Sequence, residues 1–213
     1  MKRTCLLVCG ILFCLSSLHA QVSKEKNGYV EVEAERFFEQ TNSSDRTWHV
    51  MSKTAVRHDL DGDSLEYLSA SRGAFVELLP DTRVTHDDPL IAGVNFSNEP
   101  GISILKYKVK FTNPGKYYVW GRAFSTGKED NGIHVGINGE WPESGQRMQW
   151  CAGKNQWTWA SKQRTKEAHC GEEGLIYLNI DKPGMHTIQF SMREDGFAFD
   201  KFALNAKYEQ PRD

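Results

Sequence analysis

The chain has 213 residues and a formal net charge of −2, with 26 Lys and Arg set against 28 Asp and Glu. That balance leaves no basic stripe for a nucleic-acid backbone. Beyond the N-terminal leader, no stretch is apolar over the roughly 20 residues that a membrane-spanning helix needs.

Lys2 and Arg3 precede an apolar run from Cys5 to Leu18, and Leu18-His19-Ala20 puts a small residue ahead of Gln21. That order of charge, apolar core and small residue is the pattern of a secretory signal peptide. Residues 1–20 are therefore expected to be cleaved, leaving a secreted protein, extracellular or periplasmic. The bulky Val8 and Phe13 before Cys9 and Cys14 argue against lipidation. The polar, lysine-rich residues 21–28 read as a linker, residues 29–208 as one domain, and residues 209–213 as a tail.

Short strands follow one another along that domain. Tyr29 to Glu35 alternates with period two, as a half-buried strand does. Gly73 to Leu79 is a short apolar strand stopped by Pro80. Ile102 to Phe111 alternates up to the turn Asn113-Pro114-Gly115, and Lys116 to Ala123, rich in aromatic and β-branched residues, is expected to return antiparallel. Ile133 to Ile137 runs to Asn138-Gly139. Leu175 to Ile180 runs to Lys182-Pro183-Gly184, His186 to Met192 comes back, and Phe197 to Leu204 closes the domain. No stretch carries sustained helical periodicity. The prediction is an all-β, single-domain β-sandwich or jelly roll.

Removal of the leader leaves Cys151 and Cys170 of the five cysteines. An even pair in an exported protein reads as one disulfide, worth about 3 kcal/mol by the chain-entropy account. Two free thiols are the alternative. Glu33 and Glu35, two apart, would project from one strand face and repel unless a cation lies between them. Calcium, which takes six to eight oxygens at about 2.4 Å, suits such a pair; a solvated strand face is the alternative. The acidic run Asp59-Leu60-Asp61-Gly62-Asp63 lacks EF-hand spacing and reads as a surface turn. Asn42-Ser43-Ser44 and Asn95-Phe96-Ser97 are glycosylation sequons.

Pyranose rings have apolar faces that lie on flat aromatic surfaces, while their hydroxyls need fixed polar partners. Trp141, Trp150, Trp157 and Trp159 fall in the segment from Asn138 to Cys170 among Gly, Gln, Asn, Lys and Arg. Trp141, Trp157 and Trp159, with Trp48, are candidate sugar platforms. Trp150 serves equally as packing over the disulfide, and Trp120, inside an apolar strand, is expected in the core. Arg122 and Arg147 could offer planar forks to an acidic or sulfated sugar.

Taken in order, several stations resemble the family 6 and family 35 carbohydrate-binding modules. They are Val32-Glu33-Ala34-Glu35, then Leu105-x-Tyr107 through Gly115-Lys116-Tyr117-Tyr118-Val119-Trp120-Gly121-Arg122. Gly184-x-His186-x-Ile188, Arg193-Glu194-Asp195-Gly196 and Phe199-Asp200-Lys201-Phe202 complete the set. The resemblance implies a galactose-binding-like jelly roll. It also implies that Asp200 joins Glu33 and Glu35 as a third ligand of one structural calcium ion, tying the first strand to the last. It places Asn131, with Asp130 beside it, in the ligand-contacting loop Lys128-Glu129-Asp130-Asn131-Gly132; a plain Asn-Gly turn is the alternative. The segment from Trp141 to Cys170 departs from the family pattern.

The expected function is a secreted, non-catalytic module that binds a polysaccharide or oligosaccharide. A polysaccharide lyase or glycoside hydrolase on a β-sandwich, and a cell-surface adhesion or structural domain, are the alternatives. The sequence carries no serine elbow, zinc-helix motif or phosphate loop. The chain is expected to carry no catalytic domain of its own, which makes separately encoded polysaccharide-degrading enzymes further candidate partners.

Overall fold

The computed structural model describes residues 21–55, 59–60, 70–126 and 129–213. The signal peptide, Asp61-Gly62-Asp63 and Lys128 lie outside them. In chain order the strands are β1 (Val22–Lys24), β2 (Tyr29–Glu33), β3 (Glu39–Thr41), β4 (Thr47–Ser52), β5 (Ala74–Leu79), β6 (Ile104–Phe111), β7 (Gly115–Phe124) and β8 (Gly132–Ile137). They continue with β9 (Met148–Gln149), β10 (Trp157–Ala160), β11 (Lys162–Gln163), β12 (Glu172–Glu173), β13 (Tyr177–Ile180), β14 (Gly184–Met192) and β15 (Ala198–Asn205). No α-helix occurs among the described residues.

Two sheets pack face to face. One runs β1-β6-β14-β8-β9-β11-β12, with β3 sharing the β6 edge; the other runs β10-β7-β15-β5-β4, with β13 on β7 and β2 on β15. Among the described residues all pairings between these strands are antiparallel except β1 on β6. β6 shows the alternation plainly: Leu105, Tyr107, Val109 and Phe111 point inward while Lys106, Lys108 and Lys110 face out. Between the sheets, Phe190 meets Tyr107, Phe199 and Phe202 at ring-centroid distances of 5.9, 4.9 and 4.8 Å. Buried aromatic rings of this kind supply most of the apolar area that holds two sheets together.

Three expectations change here. β7 does not return beside β6. The Asn113-Pro114-Gly115 turn crosses from one sheet to the other, so Phe111 and Tyr117 meet across the core at 5.0 Å. The turn is held from outside, because buried Glu25 accepts the backbone N–H groups of Thr112 (2.8 Å), Asn113 (3.2 Å) and Gly28 (2.6 Å). That anchor also corrects the reading of residues 21–28 as a linker, since Val22 to Lys24 pair in register with Lys108 to Lys110. Finally, β2 ends at Glu33, and Glu35 sits in a 3-10 turn over Ala34–Arg36. The two glutamates are therefore not alternate residues of one strand.

The tail is ordered as well. Tyr208 packs against Trp120 (5.1 Å) and Tyr118 (5.2 Å), and Pro211 is buried.

Candidate functional site

The three carboxylates expected to hold calcium lie within electrostatic reach of one another. β2 pairs with β15 and sets Glu33 opposite Lys201, one residue from Asp200. Asp200, fully buried, accepts the Ser71 amide (2.8 Å) and pairs with Arg122. Glu33 accepts the Ser71 hydroxyl (3.1 Å) and pairs with Arg72 (3.1 Å). Burial, with the negative charges of Glu33 and Asp200 nearby, pushes Glu35 up to about 7. Burial likewise pushes Asp200 to about 6 against the pull of Arg122. Glu33 Oε2 and Glu35 Oε2 are buried without a hydrogen-bond partner. Hard, unsatisfied carboxylate oxygens fit a calcium ion in donor type. Among the described residues, however, no three His, Cys, Asp or Glu are gathered as a metal-holding group, and arginines face two of the three carboxylates.

The tryptophans are placed differently from expectation. Trp48 is 2% exposed in the main core, its indole N–H donating to the Ser103 carbonyl (2.7 Å), so it has no face for a sugar. Trp150 is core too, 5.1 Å from Phe197. Trp157 and Trp159 share one face of β10, as spacing predicts, but that face is the covered outside of the second sheet, where they are 9% and 8% exposed. Trp157 packs on Phe75 and Phe124, and Trp159 donates to Asp213 (3.0 Å). Trp120, expected in the core, lies in this same outer cluster. Arg122 lies here as well, spanning Asp200 and Asp213. Trp141 is half-buried, its ring edge against Gly136.

The loop after β7 is built by Asp130, which accepts the Ser125 hydroxyl (2.9 Å) and the Thr126 amide (2.7 Å) and hydroxyl (3.0 Å). Asp130 thus shapes the loop. Asn131 is fixed by its amide on Glu194 (2.8 Å), by its carbonyl on the Trp150 amide (2.8 Å) and by its side-chain oxygen on Gln149. It lines a cavity of about 550 Å³ with Gln149, Phe96, Leu90, Glu129 and Glu194. Glu129 is paired with Arg83 and His86 (3.2 Å to the latter), and Glu194 with Arg193. Burial raises Glu194, opposed by Arg193 and the Asn131 amide.

A second cavity, of about 510 Å³, adjoins it: the two share Asn98, Arg164, His169 and Arg193. Its floor includes Arg147 and Gln163. The disulfide between Cys151 and Cys170 (Cα–Cα 5.4 Å) ties the strand end after β9 to the loop carrying His169. Together the cavities form a groove with polar donors along its length and an apolar wall of Phe96 and Leu90. Of the expected ligand residues Asn131 and Arg147 line it, while Trp48, Arg122, Asp130, Trp141, Trp157 and Trp159 do not. Arg164 and His169 share the loop after β11, while Arg193 and Phe96 come from two others; apart from the resemblance station that holds Arg193 and the sequon that holds Phe96, their signal in the sequence is a run of polar residues between strands.

A disulfide-tied β-sandwich with a polar groove at one end is thus the class of protein that fold and site define. Residues 63–210 match the glycosyl hydrolase family 115 C-terminal domain, and the chain belongs to that family. Uncharacterized protein P23 of Formosa agariphila is 57% identical over 191 residues, which cover 88% of this chain and 46% of that protein. The chain thus spans about half of that relative's length. Among solved structures, the family 35 carbohydrate-binding module of Paenibacillus barcinonensis superposes with TM-score 0.47 at 13% identity, covering 83% of this chain and 98% of that one. The C-terminal family 6 module of a marine laminarinase from Zobellia galactanivorans does so with TM-score 0.42 at 13% identity, over 83% and 98%.

Proposed function

We propose that this chain is an exported, non-catalytic carbohydrate-binding module, which grips a polysaccharide in the groove between Asn131 and Arg147. The observation that carries this reading is the groove itself. Fixed amides and guanidiniums stand beside the apolar wall of Phe96 and Leu90, the pairing of surfaces that a sugar's hydroxyls and ring faces require. Membership in a family named for the C-terminal domain of a glycosyl hydrolase agrees with work beside polysaccharide-degrading enzymes, in the same polypeptide or encoded separately.

A catalytic reading has one observation in its favour, because Glu129 and Glu194 line the same cavity and glycosidases use two carboxylates. Each is already committed to an arginine, and Glu194 also to the Asn131 amide. Neither is left to pass a proton, and binding is the better reading.

Affinity electrophoresis against neutral and acidic polysaccharides, with reducing-end and unsaturated-end assays on the same mixtures, tests the proposal. Retention without product is expected. A folded sample that binds no polysaccharide sinks it, and release of oligosaccharides replaces it with catalysis.

Calcium belongs to the same proposal in a structural role. Glu33, Glu35 and Asp200 would hold it, and it would supply the positive charge that Glu33 Oε2 and Glu35 Oε2 lack. Chelation should then lower the melting temperature; an unchanged value removes the ion from the account. Export predicts a mature protein beginning at Gln21, read by N-terminal sequencing.

A further inference from the structure

We propose that the cavity between Arg147, Arg164 and Arg193 is an anion subsite of this groove, taking a sulfate ester or carboxylate carried on a ring of an acidic polysaccharide. The inference rests on the carbohydrate-binding reading and adds the ligand's chemical class.

Arg147 and Arg164 stand directly opposite one another where the β9–β11 pairing runs out. The Arg164 amide donates to the Arg147 carbonyl (2.8 Å), and Arg147 Nε donates back to the Arg164 carbonyl (3.3 Å). Like charges at opposed positions of antiparallel strands are destabilising. Arg147 also holds a backbone φ of 57°, a left-handed conformation that a long side chain rarely takes. Two local costs at one position, both aiming a guanidinium into a cavity, are the kind of strain that accompanies a binding site.

The charges are not balanced within the protein. Arg147 pairs with Glu143, whose side chain is 69% exposed, so water and salt weaken that pair. Arg193 pairs with buried Glu194. Arg164 has no carboxylate within ion-pair distance among the described residues, though the negative charge of Glu194 reaches it; the one hydrogen bond of its guanidinium there is a long one (3.4 Å) to the His169 carbonyl. Lys166 adds positive charge at the rim, and Glu143 is the one carboxylate among the described residues that line the cavity. Arg193 is 3% exposed, yet its Nε has no hydrogen-bond partner. An oxyanion would satisfy these donors, and planar guanidinium forks match the paired oxygens of carboxylate and sulfate.

The neighbouring groups agree. His134 lies behind the cluster and is held neutral, its Nδ1 accepting the Arg147 amide (3.1 Å) and its Nε2–H facing the Ser97 carbonyl (3.2 Å). The Arg193 guanidinium lies 5.0 Å from the centre of the Phe96 ring. A sugar ring resting against Phe96 and Leu90 in the adjoining cavity of about 550 Å³ would therefore carry its charged substituent toward the arginines. Gln163 is already engaged, its side-chain amide donating to the Glu143 (2.5 Å) and Gln146 (3.1 Å) carbonyls, so the arginines are the groups left to meet the ligand.

The test is affinity electrophoresis of the full mature chain in gels of carrageenan, polygalacturonate, a neutral galactan and polyglutamate, at low and raised salt. Arg164→Gln and Arg164→Lys are compared with Lys207→Gln, a control at a 76% exposed lysine just after β15. Urea midpoints establish that all variants are folded. Retention by one or both acidic polysaccharides, weakened about tenfold in Arg164→Gln, is the expected result. Arg164→Lys should recover only part of it and Lys207→Gln none of the loss. Carrageenan and polygalacturonate distinguish sulfate from carboxylate as the group held. Acidic-polymer binding that Arg164→Gln leaves unchanged, or equal retention by polyglutamate, overturns the subsite. Binding to the neutral galactan alone overturns it while leaving the carbohydrate reading standing; retention by no polysaccharide overturns the reading beneath it.

Discussion

The indole of Trp150 lies on the bare Cα of Gly121: a methyl group there would meet the ring at 2.8 and 3.0 Å and the Met148 terminus at 3.3 Å. Gly121 has no positive φ among the backbone exceptions, so this glycine is needed for closeness and not for conformational freedom. The ring is also pinned, its N–H donating to the Thr158 carbonyl (3.1 Å).

Gly121→Ala should therefore destabilise the domain by about 1–3 kcal/mol through overpacking. Trp150→Ala should cost about 3–5 kcal/mol through the cavity it leaves. Urea unfolding of both variants checks the order. A Gly121→Ala variant as stable as the parent would mean that the Trp150 ring can shift without penalty.

The disulfide yields the next prediction. Cys151 and Cys170 close a loop of sequence separation 19 that contains β10, β11 and the Arg164–His169 segment of the groove. Replacing both by serine should cost about 3 kcal/mol of stability. It should also weaken polysaccharide retention beyond what the lost stability explains at a temperature where the protein remains folded, because the loop carrying His169 is no longer tied at both ends. Retention unchanged in a folded Cys151→Ser/Cys170→Ser variant would show that the groove is shaped without it.

How far the sequence revealed this molecule follows from what each residue answers to. Period-two alternation is set by a strand's two faces, so Leu105 to Phe111 and the closing strand around Phe202 were readable. The cysteine pair was readable by count. Sheet membership was not, because Asn113-Pro114-Gly115 makes the same turn whether the chain returns beside β6 or crosses to the other sheet; Glu25, 87 residues before Thr112, helps decide it. Tryptophan burial was not readable either, since a Trp in a polar stretch packs inward when a neighbouring element covers it, as the segment holding Tyr208 and Asp213 covers Trp120 and Trp159. The arginine cluster depends on three separate elements meeting at one end of the sandwich, which no local pattern encodes.

His134 gives the last prediction, and its sign can be worked out. Burial, with a smaller push from Arg193 and Arg147, lowers its pKa to about 4 from an ordinary value near 6.5. Between those values the unfolded chain binds a proton that the folded protein refuses, so stability falls as pH drops through that window. The contribution is fully present above about pH 6.5, and about 3 kcal/mol is at stake by pH 4. Raised carboxyl groups such as Glu35, Asp200 and Glu194 act in the opposite direction, so the wild-type profile alone does not isolate the histidine. The comparison that does is His134→Gln, which keeps a hydrogen-bonding side chain but removes the titration. Its unfolding free energy, measured by urea at pH 7 and pH 4.5, should change less on acidification than that of the parent. Parallel profiles would mean that His134 takes up its proton in the fold, which requires the Arg147 amide to give up its acceptor and the two arginines to tolerate a third positive charge.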